Sequence, residues 1–248
     1  MGLHPWARVG FGRAARAYER ARPAYPAEAV AWLAERLDLR PGRTVVDLGA
    51  GTGKLSGLLV PTGARVVAVE PVDEMRRLLE RIAGVEVLAG TAEAIPLPDA
   101  STDAVSVAEA FHWFNGDEAL GEIHRVLRPA CALALVWNRL DGTDPVSAAF
   151  QEVIERYRGH PPVAGSSRGR EAFDRTTLFT PLELRTFANA QELDADTLAD
   201  RAASESSIAI LPEERRREVR GVVRALAWTK TKVVLRYVTE VYISRRRP

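Results

Sequence analysis

The segment Val45-Val46-Asp47-Leu48-Gly49-Ala50-Gly51-Thr52-Gly53 carries the densest chemical signal in the 248-residue sequence. A β-branched run leads into three glycines spaced Gly-x-Gly-x-Gly, and Lys54 then opens a helical stretch. Glycine permits positive φ and removes the Cβ that would keep a ligand off the main chain. N–H groups left open at the helix start can then meet an anionic or strongly accepting group. The plainer reading is a tight turn without a ligand. A dinucleotide fingerprint places its third glycine one residue later, where this chain has Lys54, and a long side chain there disfavours a nicotinamide or flavin pyrophosphate. Glu70 stands about 20 residues beyond the turn, where an acidic side chain can accept from both hydroxyls of a ribose. Its alternative is a solvated strand end.

Two further segments complete the set, Thr91-Ala92-Glu93 and Ala108-Glu109-Ala110-Phe111-His112-Trp113. His112 is the candidate base or acceptor-binding group, because an imidazole titrates near neutrality; a local role against backbone or ligand is the other reading. Trp113, Phe111 and Phe114 can wall an apolar acceptor pocket or simply belong to the core. Arg22 can pair with a carboxylate, or form a surface ion pair with Glu19 or Glu28. The one cysteine, Cys131, cannot build a Cys-based zinc site or an internal disulfide, and no metal is expected.

These residues need a scaffold that gathers them. From Thr44 to Asn138 short apolar runs alternate with helical stretches, the pattern of βαβ units and a parallel sheet. Expected strands are Thr44 to Leu48, Arg65 to Val69, Val85 to Leu88, Ala104 to Val107 and Ala132 to Trp137, with two later ones near Leu182 to Ala188 and Lys232 to Ile243. Met75, Leu78, Leu79 and Ile82 share one helix face, as do Leu120, Ile123 and Leu127. Further helices are expected over Phe11 to Tyr18, Ala27 to Leu39, Val146 to Tyr157, Thr197 to Ala203 and Glu213 to Ala227, with a mobile loop from Gly159 to Arg170. In such a sheet the turns after neighbouring strands meet in a crevice at their carboxyl ends.

The expected class is therefore α/β: a Rossmann-like, seven-stranded, mostly parallel sheet with helices on both faces. Residues 1–40 form an N-terminal helical cover, 41–139 the ligand-binding core, 140–180 an insertion after strand five, and 181–248 the closing strands and helices of one domain. Lys and Arg number 34 against 33 Asp and Glu, a net +1, so no global basic field exists to hold a polyanion. Nucleic acid is not an expected partner, and the arginine clusters at 215–217 and 245–247 lack interleaved aromatics. No apolar run reaches the roughly 20 residues of a membrane span, and a lone cysteine fits the reducing cytoplasm.

Val45 to Gly53, Val66 to Pro71, Gly90 to Pro98 and Asp103 to Trp113, followed by Leu127-Arg128-Pro129, resemble the successive motifs of class I S-adenosylmethionine-dependent methyltransferases. Tyr18, Arg22-Pro-x-Tyr-Pro and Ala110-Phe-His-Trp-Phe further resemble the small-molecule branch that includes trans-aconitate methyltransferase-like proteins, from which Ala130-Cys131 departs where a Gly-Gly pair is usual. The resemblance implies S-adenosylmethionine as cofactor. Its methionine part would lie against Asp47 and Gly49, Ala50, Gly51, Thr52 and Gly53, and its ribose on Glu70. Its adenine would lie between Pro71 to Met75 and Ala92-Glu93, with Thr91, Ala108, Glu109, Tyr18 and Arg22 completing the cofactor set. The methyl group would pass to a small-molecule acceptor, a carboxylate or hydroxyl oxygen, near His112, Phe111 and Trp113. Two other readings stay open: a dinucleotide-dependent oxidoreductase, and a protein that binds S-adenosylmethionine without turnover.

Overall fold

The computed structural model describes residues 19, 21–158, 167–227 and 231–248. Seven strands form one sheet: β1 (Thr44–Leu48), β2 (Arg65–Val69), β3 (Val85–Leu88), β4 (Thr102–Ala108), β5 (Leu127–Leu140), β6 (Glu183–Leu193) and β7 (Val233–Arg245). Their order is β3-β2-β1-β4-β5-β7-β6. The first five run parallel; β7 is antiparallel to β5 and to β6. The chain leaves β1 toward β2 and β3 on one side, then returns to lay β4 on the other. That reversal opens a crevice at the carboxyl ends of β1 and β4.

Alternation along each strand builds the two layers. Val46, Leu48, Val67, Val69, Val105 and Val107 face one side. There they meet Ala119, Leu120 and Ile123 of α4 (Gly116–Val126). Val45, Val66, Ala104 and Ala134 face the other. They pack on Leu33 of α1 (Ala27–Arg36) and on Leu55 and Leu59 of α2 (Lys54–Leu59). Ile123 is 0% exposed, and truncating such a side chain to alanine costs about 2–5 kcal/mol. α3 (Asp73–Leu79) covers the turn after β2 with Met75, Leu78 and Leu79 buried. A third cluster joins Phe150 and Ile154 of α5 (Pro145–Tyr157) to Leu198 of α7 (Ala195–Ala203), Val219 of α9 (Glu213–Ala225) and Leu235 and Tyr237 of β7. α6 (Ser167–Arg175) and the short α8 (Ser206–Ala209) complete the order.

β1, β2 and β3 have the expected bounds, whereas β4, β5, β6 and β7 run further. β5 passes through Pro129 because Ala130 adopts φ +61° and the register against β4 shifts between Thr102 and Ala104. β6 lengthens because it pairs with β7 from Glu183 to Leu193. α1 stops at Arg36 rather than Leu39. Asp38 takes φ +53°, its N–H donates to Glu35 O, and that of Leu39 to Ala34 O, a Schellman ending. α9 closes at Ala225 rather than Ala227. The expected loop over Gly159 to Arg170 is corrected in its last part, where Ser167–Arg175 is helical; residues 159–166 and the helix expected over Phe11 to Tyr18 lie outside the described residues.

Candidate active site

Asp47 ends up inside the sheet rather than on the crevice. Its Oδ2 accepts from Ser56 Oγ of α2 at 2.6 Å and its Oδ1 from Ser106 Oγ of β4 at 3.3 Å. It is 1% exposed. Burial, partly offset by the serines, pushes its pKa up to about 6. The carboxylate thus ties the helix that follows the glycine turn to the neighbouring strand. Gly53 is also inward: φ is +85°, and its α-carbon backs onto Leu79 and Ile82.

A cleft open to solvent lies where the sheet order reverses. Gly49, Ala50, Gly51 and Thr52 form its floor, with Lys54 beside them. Glu70, Pro71, Val72 and Met75 form one wall; Ala108, Glu109, Ala110, Trp113 and Phe114 come from the end of β4, and Arg22, Pro23 and Tyr25 from the N-terminal strap. Glu70 is 5% exposed. Its Oε2 accepts from Gly51 N and its Oε1 from Val72 N, each at 2.9 Å. Burial raises its pKa against those bonds. Glu109 holds φ +54°, a costly conformation for a non-glycine residue that packing must maintain. Its Oε1 accepts from Asn138 N at 2.5 Å, and burial pushes its carboxyl upward.

Of the residues expected at the ligand, Gly49, Ala50, Gly51, Thr52, Glu70, Pro71, Met75, Ala108, Glu109, Arg22 and Trp113 share this cleft. Thr91 instead bridges to Ala94 in a turn, Ala92 enters the core, and Glu93 accepts from Asn115 N at 2.9 Å, ahead of α4. Phe111 is a core residue at 0% exposure, with Phe114 and Phe173 rings 5.6 and 5.4 Å away. His112 is half-buried outside the cleft wall, its ring 4.9 Å from that of Trp113. Its Nδ1 is buried without a hydrogen-bond partner. Burial first, then Arg22 and Arg139, push its pKa down to about 4. Tyr18 lies outside the described residues. Arg22 Nη2 donates to Ser204 O at 2.9 Å and Glu205 Oε2 at 3.1 Å.

Phe114 lines the cleft as expected; Asn138, Arg201 and Lys54 line it too and are not among the ligand contacts expected from the sequence. Arg201 stands four residues before Glu205, a spacing that reads as a solvated helical ion pair.

The cleft fits an adenosyl amino acid. The Thr52 hydroxyl is buried on its wall without a hydrogen-bond partner, and an orphaned buried hydroxyl is costly until a ligand satisfies it. At Gly51 an added Cβ would meet only Met75 Sδ at 3.7 Å, so the main chain lies open to a ligand. Glu70 has spent one lone pair of each oxygen on the turn and keeps others for a diol.

A methyltransferase domain family matches residues 46–135, the stretch that supplies the glycine turn and β4. An uncharacterized methyltransferase of Mycobacterium tuberculosis is 40% identical over 225 residues, covering 89% of this chain and 86% of that protein. One from Schizosaccharomyces pombe is 35% identical over 204 residues, covering 82% and 80%. Among solved structures, a protein from Anaeromyxobacter dehalogenans provisionally named a type II methyltransferase superposes with TM-score 0.67 at 26% identity, over 91% of this chain and 97% of that one. A Haemonchus contortus phosphoethanolamine N-methyltransferase, solved with S-adenosylhomocysteine, shares the fold at TM-score 0.56 and 15% identity, over 96% and 57%. With a glycine turn, a carboxylate at the end of β2 that shares its cleft, and relatives of this similarity over nearly its whole length, the chain belongs to the class I S-adenosylmethionine-dependent methyltransferases.

Proposed function

We propose that this enzyme methylates a small molecule at a carboxylate or hydroxyl oxygen, within the branch that the strap Arg22 to Pro26 and the run Ala110 to Phe114 resemble. The observation that carries the reading is the single cleft in which the glycine turn and Glu70 share a wall with Tyr25, Trp113, Phe114 and Arg22. Its mixed apolar and polar lining suits a small acceptor, and the near-zero net charge gives no support to a nucleic-acid substrate or an anionic membrane surface. Among the described residues no helix is long and apolar enough to cross a membrane. The lone cysteine supports a cytoplasmic setting.

When bound, S-adenosylmethionine supplies an electrophilic methyl group on a sulfonium. The chain's own contribution is placement. Glu70 takes the ribose, Met75 packs against the purine, and the main chain of Gly51 with the Thr52 hydroxyl meets the amino-acid part. Asp47 acts at one remove by fixing Ser56 and Ser106. Trp113 and Phe114 hold the acceptor and exclude water. Orientation alone supplies up to about 7–11 kcal/mol for ideally placed reactants. His112 is neutral at pH 7 and too weak a base, at a pKa of about 4, to activate a phenol; a carboxylate acceptor needs no base.

Calorimetry with S-adenosylhomocysteine, followed by transfer of tritiated methyl to a panel of acids, phenols and amines, tests this reading. Label entering acids or alcohols is expected. Transfer confined to amines, or binding with no transfer to any acceptor, would overturn it.

A further inference from the structure

Glu109 follows β4 in a left-handed conformation, at φ +54°. Its main-chain N–H donates to Val136 O at 2.9 Å, closing the ladder that pairs Ala108 with Val136. The side chain then folds back toward β5, where Oε1 accepts from Asn138 N at 2.5 Å. One carboxylate oxygen therefore takes the strand N–H that the ladder leaves over. The other has no such duty. Oε2 has no hydrogen-bond partner among the described residues and is not sealed from solvent, and the residue lines the cleft. A left-handed non-glycine residue persists only where its surroundings over-determine it, and such residues cluster at sites of chemistry.

The tie to Asn138 sets which side of the cleft this carboxylate serves. β5 lies beyond β4, away from β1 and β2, whose ends carry the glycine turn and Glu70. Trp113 and Phe114, which hold the acceptor in the reading above, follow in the same loop. Glu70 is the other carboxylate on the cleft wall, and both its oxygens bond main-chain N–H groups. The charged groups that act on Glu109 are Arg22 of the strap, Arg201 of α7 and Glu205 just beyond α7. None of them is hydrogen-bonded to it among the described residues. The two guanidiniums favour its anion. Burial, helped by Glu205, outweighs them and holds its pKa above the ordinary glutamate value, which strengthens a carboxylate as proton acceptor.

We infer that Glu109 is the general base of this cleft, and that the acceptor is a hydroxyl compound rather than a carboxylate. The inference rests on the oxygen-methylation reading above and narrows it. Oε2 takes the hydroxyl proton while a lone pair of that oxygen forms the new O–C bond and the sulfonium's S–C electrons return to sulfur. Oε1 stays on Asn138 N, so the base keeps its place as it changes charge, and the proton passes to solvent when the products leave. A carboxylate acceptor would bring no proton at neutral pH and would set a second anion against Oε2.

The test offers S-adenosylmethionine with a tritiated methyl group, and a panel of phenols, aliphatic alcohols, carboxylic acids and amines, to the full chain. Label is expected in the hydroxyl compounds. With the best of them, kcat/KM should fall about tenfold per pH unit on the acid side of one ionisation. Glu109→Gln keeps an oxygen for Asn138 N; it should flatten that limb and lower kcat about 100-fold. Its S-adenosylhomocysteine affinity, by calorimetry, should stay within about threefold of wild type, which a variant that merely loosened the cleft would not preserve. Label confined to carboxylic acids would overturn the inference and leave oxygen methylation standing. A wild-type profile without an acid limb would overturn it as well, and this measurement needs no variant to fold. So would a limb that survives in Glu109→Gln, or a loss of S-adenosylhomocysteine as large as the loss of rate. Label in amines alone, or in nothing, would instead remove the reading on which the inference stands.

Discussion

The main-chain N–H of Gly51 donates to Glu70 Oε2 at 2.9 Å, tying the glycine turn after β1 to the end of β2. One carboxylate thus shapes the turn, and in the proposed reading its remaining lone pairs take the ligand. Loss of the side chain disturbs both at once, and the isosteric amide keeps one of the two main-chain contacts. Hydrogen bonds to a charged group contribute about 1.5–3 kcal/mol each. Glu70→Gln keeps the size and one accepting oxygen. It is expected to weaken S-adenosylhomocysteine about 10–100-fold by calorimetry and to lower the thermal midpoint, because its NH2 must face either Gly51 N or Val72 N; Glu70→Ala should lower both further.

Gly51 and Gly53 both sit at positive φ, +59° and +85°, yet they answer to different constraints. An alanine methyl at 53 would overlap Ile82 Cδ1 and come within 2.6 Å of Leu79 Cδ2. Left-handed backbone and overpacking together place Gly53→Ala about 2–4 kcal/mol below wild type in chemical denaturation. Gly51→Ala carries only the backbone cost, about 1 kcal/mol, but points its methyl into the cleft. It should lose at least tenfold in S-adenosylhomocysteine affinity. Equal binding loss for two variants matched in stability would show that the turn, rather than its open main chain, is what the ligand needs.

The same contrast explains what the sequence made legible. Short apolar runs located β1 and β2 because both faces of each are covered within the sheet, the edge strand β3 was marked by a shorter run, and the glycine spacing located the turn because backbone geometry there admits little else. Glu70 was readable from its distance to that turn. Asp47, Phe111, His112 and Glu93 were read as ligand contacts from their place in a motif, but motif position does not say which way a side chain turns. Asp47 faces two serines, and Phe111 faces the core. Arg201 and Asn138 reach the cleft from α7 and β5 through pairing of β5 with β7 and packing of α7 on their extension. Such long-range placement has no local signature.

Asp47 and His112 give the stability curve opposing slopes in one window. The folded Asp47 carboxyl, raised from 3.8 to about 6, holds a proton that the unfolded chain has released between those values, so its contribution to stability falls as pH rises through them. His112, lowered from 6.5 to about 4, binds fewer protons when folded, so its contribution is full above pH 6.5 and is lost as pH falls toward 4. Asn at 47 can still donate to one serine and accept from the other. Asp47→Asn is expected to stabilise the protein by about 1–3 kcal/mol at pH 8 and not at pH 4, measured by urea denaturation at each pH. His112→Asn should do the reverse, with its gain confined to the acidic arm. A gain from Asp47→Asn that is equal at both pH values would mean that the buried carboxyl does not titrate in this range.

Ala130 holds φ +61° with its side chain exposed, at the point where the register of β5 against β4 shifts. Its methyl packs against nothing that would repay the conformation. Left-handed backbone costs an L-residue about 1–2 kcal/mol, whereas glycine pays about 0.5–1 kcal/mol in unfolded-state entropy. Ala130→Gly is therefore expected to raise stability by about 0.5–1 kcal/mol in guanidinium denaturation. The site is remote from the cleft, so S-adenosylhomocysteine affinity should not move. Ala130→Val, whose branched Cβ tolerates positive φ less well, should shift the midpoint in the opposite direction, and the two variants together distinguish backbone strain from a change in side-chain packing.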